Sequence, residues 1–183
     1  MTERGVVHGR FQGLHLKHME YLLAAKMRCR LLYVGITHPD IFACPAASPL
    51  DVHGTLVRDN PLAYIERYEM IRDSLLEFGV KREEFEIIPF PVDVLAQYAP
   101  ADAVYYMSIC GEWDREKEKI LSSLGLKTEI LWERDAEEKG ITGTELRALI
   151  AGDGSWRQYM PKAAAEYLTE HNCHFIREEG KRT

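Results

Sequence analysis

Apolar and polar positions change period repeatedly along the chain, and the changes predict strands interleaved with helices. RGVVHG (4–9) is a short β-branched run closed by glycine. RLLYVGI (30–36) is almost continuously apolar, as in a strand covered on both faces. FEIIPF (85–90), DAVYYMSI (102–109) and KTEILW (127–132) read as three further strands. Between the strands the period is helical. Residues 15–28 carry Met19, Leu22, Leu23 and Met27 at helical spacing. In NPLAYIERYEMIRDSLLEFG (60–79), Leu62, Ile65, Met70, Ile71, Leu75 and Phe78 supply a buried stripe. Asn60 is placed to cap that helix, with Pro61 at its first position and Gly79 to stop it. Segments 112–125, 142–154 and 160–171 predict three more helices, and 93–98 a short one. Thr142 and Glu145 have the spacing of a capping box.

Strand–helix alternation of this kind predicts an α/β fold: a doubly wound, parallel five-stranded sheet with helices on both faces and a helical C-terminal part. The expected organisation is one domain over 1–171, followed by a polar tail over 172–183. The stretch 37–59, rich in Pro, Ala, Asp and Gly, reads as a long loop, a length associated with function. No repeat, low-complexity tract or linker interrupts the pattern.

Composition narrows the partners. The chain has 183 residues and a net charge of −6, which argues against a general nucleic-acid binder but leaves room for a small anion held by a local arginine cluster. No apolar run is long enough to span a bilayer, and the opening MTERGVV does not resemble a secretory signal, so no membrane partner is expected. Cys29, Cys44, Cys110 and Cys173 are scattered and suggest reduced thiols in a cytoplasmic setting. His15, His18, Cys29 and His38 match no common zinc spacing, and no protein-bound metal is expected.

In such folds ligands bind outside the carboxyl ends of the strands, where the winding reverses. That rule draws attention to VVHGRFQGLHLKH (6–18), which leaves the first strand and enters a helix. Amides at a helix start are unpaired, and the helix dipole favours an anion there. Gly9 permits close backbone approach, and Arg10 offers a guanidinium fork for phosphate. His15 and His18 are three apart and share a face, so both imidazoles can donate to one phosphoryl group. The second such start is ITGTELR (141–147): hydroxyls from Thr142 and Thr144, exposed backbone at Gly143, and Arg147 one turn in. Each pattern alone has an ordinary explanation, as a packed histidine pair and as a cap. Together, each in a strand–turn–helix setting, they point to a site for a polyphosphate.

These residues resemble the HxGH nucleotidyltransferase superfamily, most of all the archaeal-type nicotinamide-nucleotide adenylyltransferases. GRFQGLHLKH (9–18) is similar to that family's GRFQPxHxGH, TGTELR (142–147) to SGTEIR, RDNPLAYIER (58–67) to its RDPF and GER segments, and GDGSWRQYMP (152–161) to GDxWxxLVP. The resemblance implies a Rossmann-like domain and adenylyl transfer from ATP, with Mg²⁺ carried on the triphosphate, to nicotinamide or nicotinate mononucleotide in NAD synthesis. It implies catalytic roles for Arg10, His15, His18 and Arg147. It implies nucleotide contacts from Gly9, Phe11, Gln12, Lys17, Thr142, Gly143 and Thr144, and substrate contacts from Arg58, Phe90 and Tyr98. Arg67 is expected to be structural, solvated or ion-paired. Two departures stand out: Gly13 replaces a proline, loosening the turn, and Lys17 replaces the HxGH glycine. The acceptor region lacks the family's tryptophan, leaving Phe90 and Tyr98 as the rings to stack on it. Cytidylyl transfer, adenylyl transfer to another phosphorylated small molecule, and a nucleotide-binding module with little catalysis remain as alternatives. Relatives of this kind often form homo-oligomers.

Overall fold

The structure, a computed structural model, describes residues 1–39, 59–91, 100–135, 140–152 and 154–171. The predicted helix at 93–98, Arg58, Tyr98, most of the 37–59 loop and the tail from 172 lie outside those residues.

The strands are β1 (Thr2–Gly9), β2 (Cys29–Ile36), β3 (Phe85–Pro89), β4 (Val104–Ile109) and β5 (Lys127–Glu133). They form one parallel sheet in the order β3-β2-β1-β4-β5. The helices are α1 (Leu16–Lys26), α2 (Tyr64–Glu77), α3 (Glu112–Ser123), α4 (Gly143–Ala151) and α5 (Lys162–Glu170). Each face of the sheet has its own core. Val7, Leu32, Val34, Phe85 and Tyr106 meet Met19 and Leu22 of α1, Ile71 and Leu75 of α2, Leu146 of α4 and Ala164 of α5. Val6, Tyr105, Met107 and Ile109 face the other way, against Leu121 of α3. Val6 and Val7 therefore serve opposite cores, the period-two logic of a central strand buried on both sides. Among the described residues no helix is long and apolar enough to cross a membrane.

One predicted boundary moves. The helix expected from Asn60 begins at Tyr64, with Ala63 as N-cap and Glu66 accepting from the Ala63 amide at 2.7 Å. Tertiary contacts override the local signal. The Gln12 side chain accepts from the Leu62 amide (2.9 Å) and donates to the Leu62 carbonyl (3.0 Å), while Asp59 pairs with Arg147. These contacts occupy the segment where the first helical turn was expected. The buried stripe shifts with the boundary: Ile65 is 56% and Phe78 42% exposed, and Arg67 takes a place on the inner face at 1%.

The order reverses between β1 and β4, and there the sheet opens. β1 stays paired with β2 as far as Gly9, but its pairing with β4 reaches only Val6 opposite Tyr105. Beyond that point β4 shifts register against β5 between Met107 and Ser108. The Tyr21 hydroxyl, from α1, donates to the Tyr106 carbonyl at 2.6 Å. The carboxyl ends of β1 and β4 are thereby left apart, as the walls of a crevice.

Candidate active site

An open cleft of about 850 Å³ occupies this crevice, roomy for a nucleotide-sized ligand. The starts of α1, α3 and α4 all border it.

The α1 start is built from its histidines. His15 is the N-cap; its Nδ1 accepts from the His18 amide, and His18 Nδ1 accepts from the His15 amide, both at 3.3 Å. This is a capping box in which imidazoles stand in for the usual serine and glutamate. The rings stack with centroids 3.7 Å apart and 18° between planes. Because each Nδ1 accepts a backbone hydrogen bond, the proton of each neutral ring belongs on Nε2. The spacing thus does two things: it satisfies backbone amides, and it makes both outer ring edges donors.

The α4 start has a conventional box. Thr142 Oγ1 accepts from the Glu145 amide (3.2 Å), and Glu145 Oε2 accepts from the Thr142 amide (2.8 Å). Those bonds hold the Glu145 carboxyl below its usual range. The two helix starts touch. A Cβ at Gly143 would lie 3.1 Å from the Gln12 carbonyl, and one at Gly13 would lie 3.3 Å from Leu146. Gly13 has φ +87°, so its turn is set in a left-handed conformation that suits glycine and is not loosened.

Two arginines tie the loops behind the site. Arg147 donates to the Gln12 carbonyl (3.0 Å), to Asp59 Oδ1 (3.2 Å) and to Thr144 Oγ1 (3.2 Å), and it is 7% exposed. Arg67 donates to the carbonyls of Arg10 (2.9 Å), Thr37 (2.8 Å) and His38 (2.8 Å), joining the loops that follow β1 and β2. Burial draws its pKa down to about 10, leaving it charged near neutrality. It is deeply buried and bonded to carbonyls, where a solvated or ion-paired structural residue was expected.

The structure brings together Gly9, Arg10, His15, Lys17, His18, Thr142, Gly143, Thr144 and Arg147 at the cleft wall. Other expected contacts are placed differently. Phe11 borders the cleft but its ring is 1% exposed and meets His18 edge-on, so it offers little surface to a ligand. Gln12 has its side-chain amide engaged by Leu62. Phe90 is 0% exposed and stacked on His8 with centroids 4.9 Å apart, so it is a core ring and not a platform for an acceptor.

Several cleft residues carried no sequence signal. Trp113 and Asp114 come from α3, and Trp132 and Arg134 from the end of β5. Asp114 Oδ2 accepts from the Cys110 amide at 2.9 Å, and Asp114 Oδ1 pairs with Lys117 at 2.7 Å. His8 lies in the crevice, 7% exposed, and burial pulls its pKa to about 3, keeping it neutral. Asp59 was one residue away from the arginine that the motif singled out. Among the described residues no cluster of three or more His, Cys, Asp or Glu converges as a metal site.

No protein-family profile matches the chain. It is 42% identical over 169 residues to a phosphonoformate cytidylyltransferase of Streptomyces viridochromogenes, a match covering 91% of this chain and 90% of that one. It is 27% identical over 176 residues to a nicotinamide-nucleotide adenylyltransferase of Saccharolobus solfataricus, again covering 91% and 90%. Its fold is similar to a bifunctional NMN adenylyltransferase/ADP ribose pyrophosphatase of Francisella tularensis, with TM-score 0.69 at 15% identity; 99% of this chain spans 53% of that longer one. A putative nicotinate-nucleotide adenylyltransferase of Vibrio parahaemolyticus has TM-score 0.55 at 12% identity, covering 97% of both chains. With the sheet, the switch-point cleft and these relatives in agreement, the chain belongs to the nucleotidyltransferase family that phosphonoformate cytidylyltransferase represents.

Proposed function

We propose that this chain transfers a cytidylyl group from CTP to an oxygen of a small phosphonate or phosphate acid, releasing pyrophosphate. The observation that carries the reading is the 42% identity across nine-tenths of both chains, against 27% for the Saccharolobus adenylyltransferase. The choice moves from the ATP and mononucleotide chemistry expected from the motifs to the cytidylyl alternative.

Charge orders the ligand in the cleft. The α1 and α4 starts carry Arg10, His15, His18 and Arg147, whereas the first turn of α3 carries Glu112 and Asp114. The triphosphate belongs at the cationic starts, with Mg²⁺ as its counter-ion and part of the substrate. The nucleoside extends towards α3 and Trp132. An acceptor oxygen attacks the α-phosphorus. The bond from that phosphorus to the bridging oxygen breaks, and pyrophosphate leaves with the bonding electrons. Charge builds on the phosphoryl oxygens near the paired imidazoles, whose Nε2–H groups are already oriented by the capping box. Arg147 and Arg67 act behind the reacting atoms, by holding the two helix starts and the loops after β1 and β2.

The test is pyrophosphate release across CTP and ATP, each with phosphonoformate, nicotinamide mononucleotide and nicotinate mononucleotide. Turnover is expected with CTP and phosphonoformate. Release confined to ATP with a mononucleotide overturns the cytidylyl reading in favour of the adenylyl one.

A further inference from the structure

Lys17 stands at the second position of α1, between the two capping histidines, where the HxGH pattern has glycine. Its Nζ lies 3.2 Å from Glu20 Oε2, and the two side chains are 44% and 37% exposed. Glu20 has a stronger partner. Arg134 donates to both its oxygens, at 2.6 and 3.0 Å, and lies over the Trp132 ring at 4.5 Å. Those bonds hold the Glu20 carboxyl at about 2, so it is charged throughout the neutral range. Lys17 contributes one long contact to a carboxylate that is already gripped in two places.

The lysine stem lies close to the chain leading into α4. A Cβ at Gly140, two residues before the Thr142 cap, would sit 3.1 Å from Lys17 Cε and 3.5 Å from its Cγ. The stem therefore bridges the starts of α1 and α4, the two places where phosphates are expected. An exposed ion pair contributes about 1 kcal/mol or less. A triphosphate offers the same ammonium several charged oxygens beside two positively polarised helix ends.

We propose that Lys17 is a transferable cation: paired with Glu20 in this structure, it moves to the β- and γ-phosphates of a bound nucleoside triphosphate, while Arg134 keeps Glu20 in place behind it. This rests on the nucleotidyltransfer reading and deepens it. The residue that departs from the motif becomes a phosphate ligand, and Glu20 becomes the competitor that sets how readily it is released. An ammonium on those groups also stabilises the charge of departing pyrophosphate.

The sign of two substitutions tests the idea. The probe is an α,β-methylene analogue of CTP with Mg²⁺, which binds without transferring, its affinity read by calorimetry on the full chain. Lys17→Met is expected to weaken binding about ten- to a hundredfold, the equivalent of one charge-assisted hydrogen bond. Lys17→Arg is expected to recover most of that loss. Glu20→Gln is expected to tighten binding about two- to fivefold, because the competing charge is gone. A purely structural ion pair makes both removals act alike, so weakening in both variants overturns the proposal. So does an affinity within about twofold of wild type for Lys17→Met, on the scale of a lost exposed pair, or a wild type that binds no analogue. Turnover is measured separately. A wild type that binds the analogue but releases no pyrophosphate from any triphosphate defeats the transferase reading and leaves the binding result for Lys17 standing on its own.

Discussion

Replacing Arg67 by methionine keeps the length of the side chain and removes its charge and donors. In this protein those donors make three short bonds, to the carbonyls of Arg10, Thr37 and His38 on the loops that leave β1 and β2, and a longer one to Ala63 (3.4 Å). A hydrogen bond from a charged group contributes about 1.5–3 kcal/mol, so the gross loss is roughly 4.5–9 kcal/mol. Against this, burial lowers the guanidinium pKa from 12.5 to about 10, which marks a desolvation cost that the variant escapes. At about 1.4 kcal/mol per pKa unit, that relief is roughly 3 kcal/mol. The net loss is about 1.5–6 kcal/mol, in keeping with the expense of orphaning one side of a buried polar cluster. For a chain of this size each kcal/mol moves Tm by about 2–4 °C, so thermal unfolding should fall by roughly 3–24 °C. Urea unfolding should report the same loss through its midpoint, with little change in slope. Arg67→Lys, with a single ammonium that cannot fork onto all three carbonyls, should fall between. A methionine variant that melts within about 2 °C of wild type, on that same scaling, shows that the carbonyls find other partners and that the staple is not needed.

His18→Ala is expected to lower kcat by about 10²–10³, the scale for one donor to developing charge, and to cost about 0.5–2 kcal/mol of stability through the lost capping-box contact; unaltered turnover refutes the role assigned to that ring. His8 supplies a pH prediction. Its folded pKa, about 3, lies below the ordinary 6.5 because of burial, with Lys117 lowering it further and Asp114 opposing. The unfolded chain therefore binds a proton that the folded chain refuses, so the contribution is complete above about pH 6.5 and is lost as pH falls towards 3, at up to about 1.4 kcal/mol per pH unit. Glu20 adds a loss of the same sign, but only below its ordinary 4.5. Urea titrations of wild type and His8→Phe between pH 6.5 and 4.5 should show a flatter acid limb in the variant; parallel curves rule the cause out.

Much of the architecture was legible in the sequence because the signals were local. Near-continuous apolar runs such as RLLYVGI belong in a central parallel strand, and strand–helix alternation constrains how such strands can be wound. The TxxE box at Thr142 appears as read, because its bonds close within one turn and need nothing else. The cap at Asn60 did not form, since Gln12 and Arg147 reach that segment from elsewhere in the chain. Phe90 illustrates the same limit: an aromatic residue after a strand can face a ligand or the core, and here His8 and Gly35 close over it.

By itself, then, the sequence determined the order of elements, the two helix starts and the histidine pair on one face of the first of them, for these depend on neighbours within four residues. Only the tertiary structure decided that Arg67 points inward to three carbonyls, that Arg147 leans on Asp59, and that Lys17 shares Glu20 with Arg134. Each of those depends on groups brought together from distant parts of the chain. An arginine in a helix looks the same whether its partner is water or a buried loop, until the fold has chosen which of the two surrounds it.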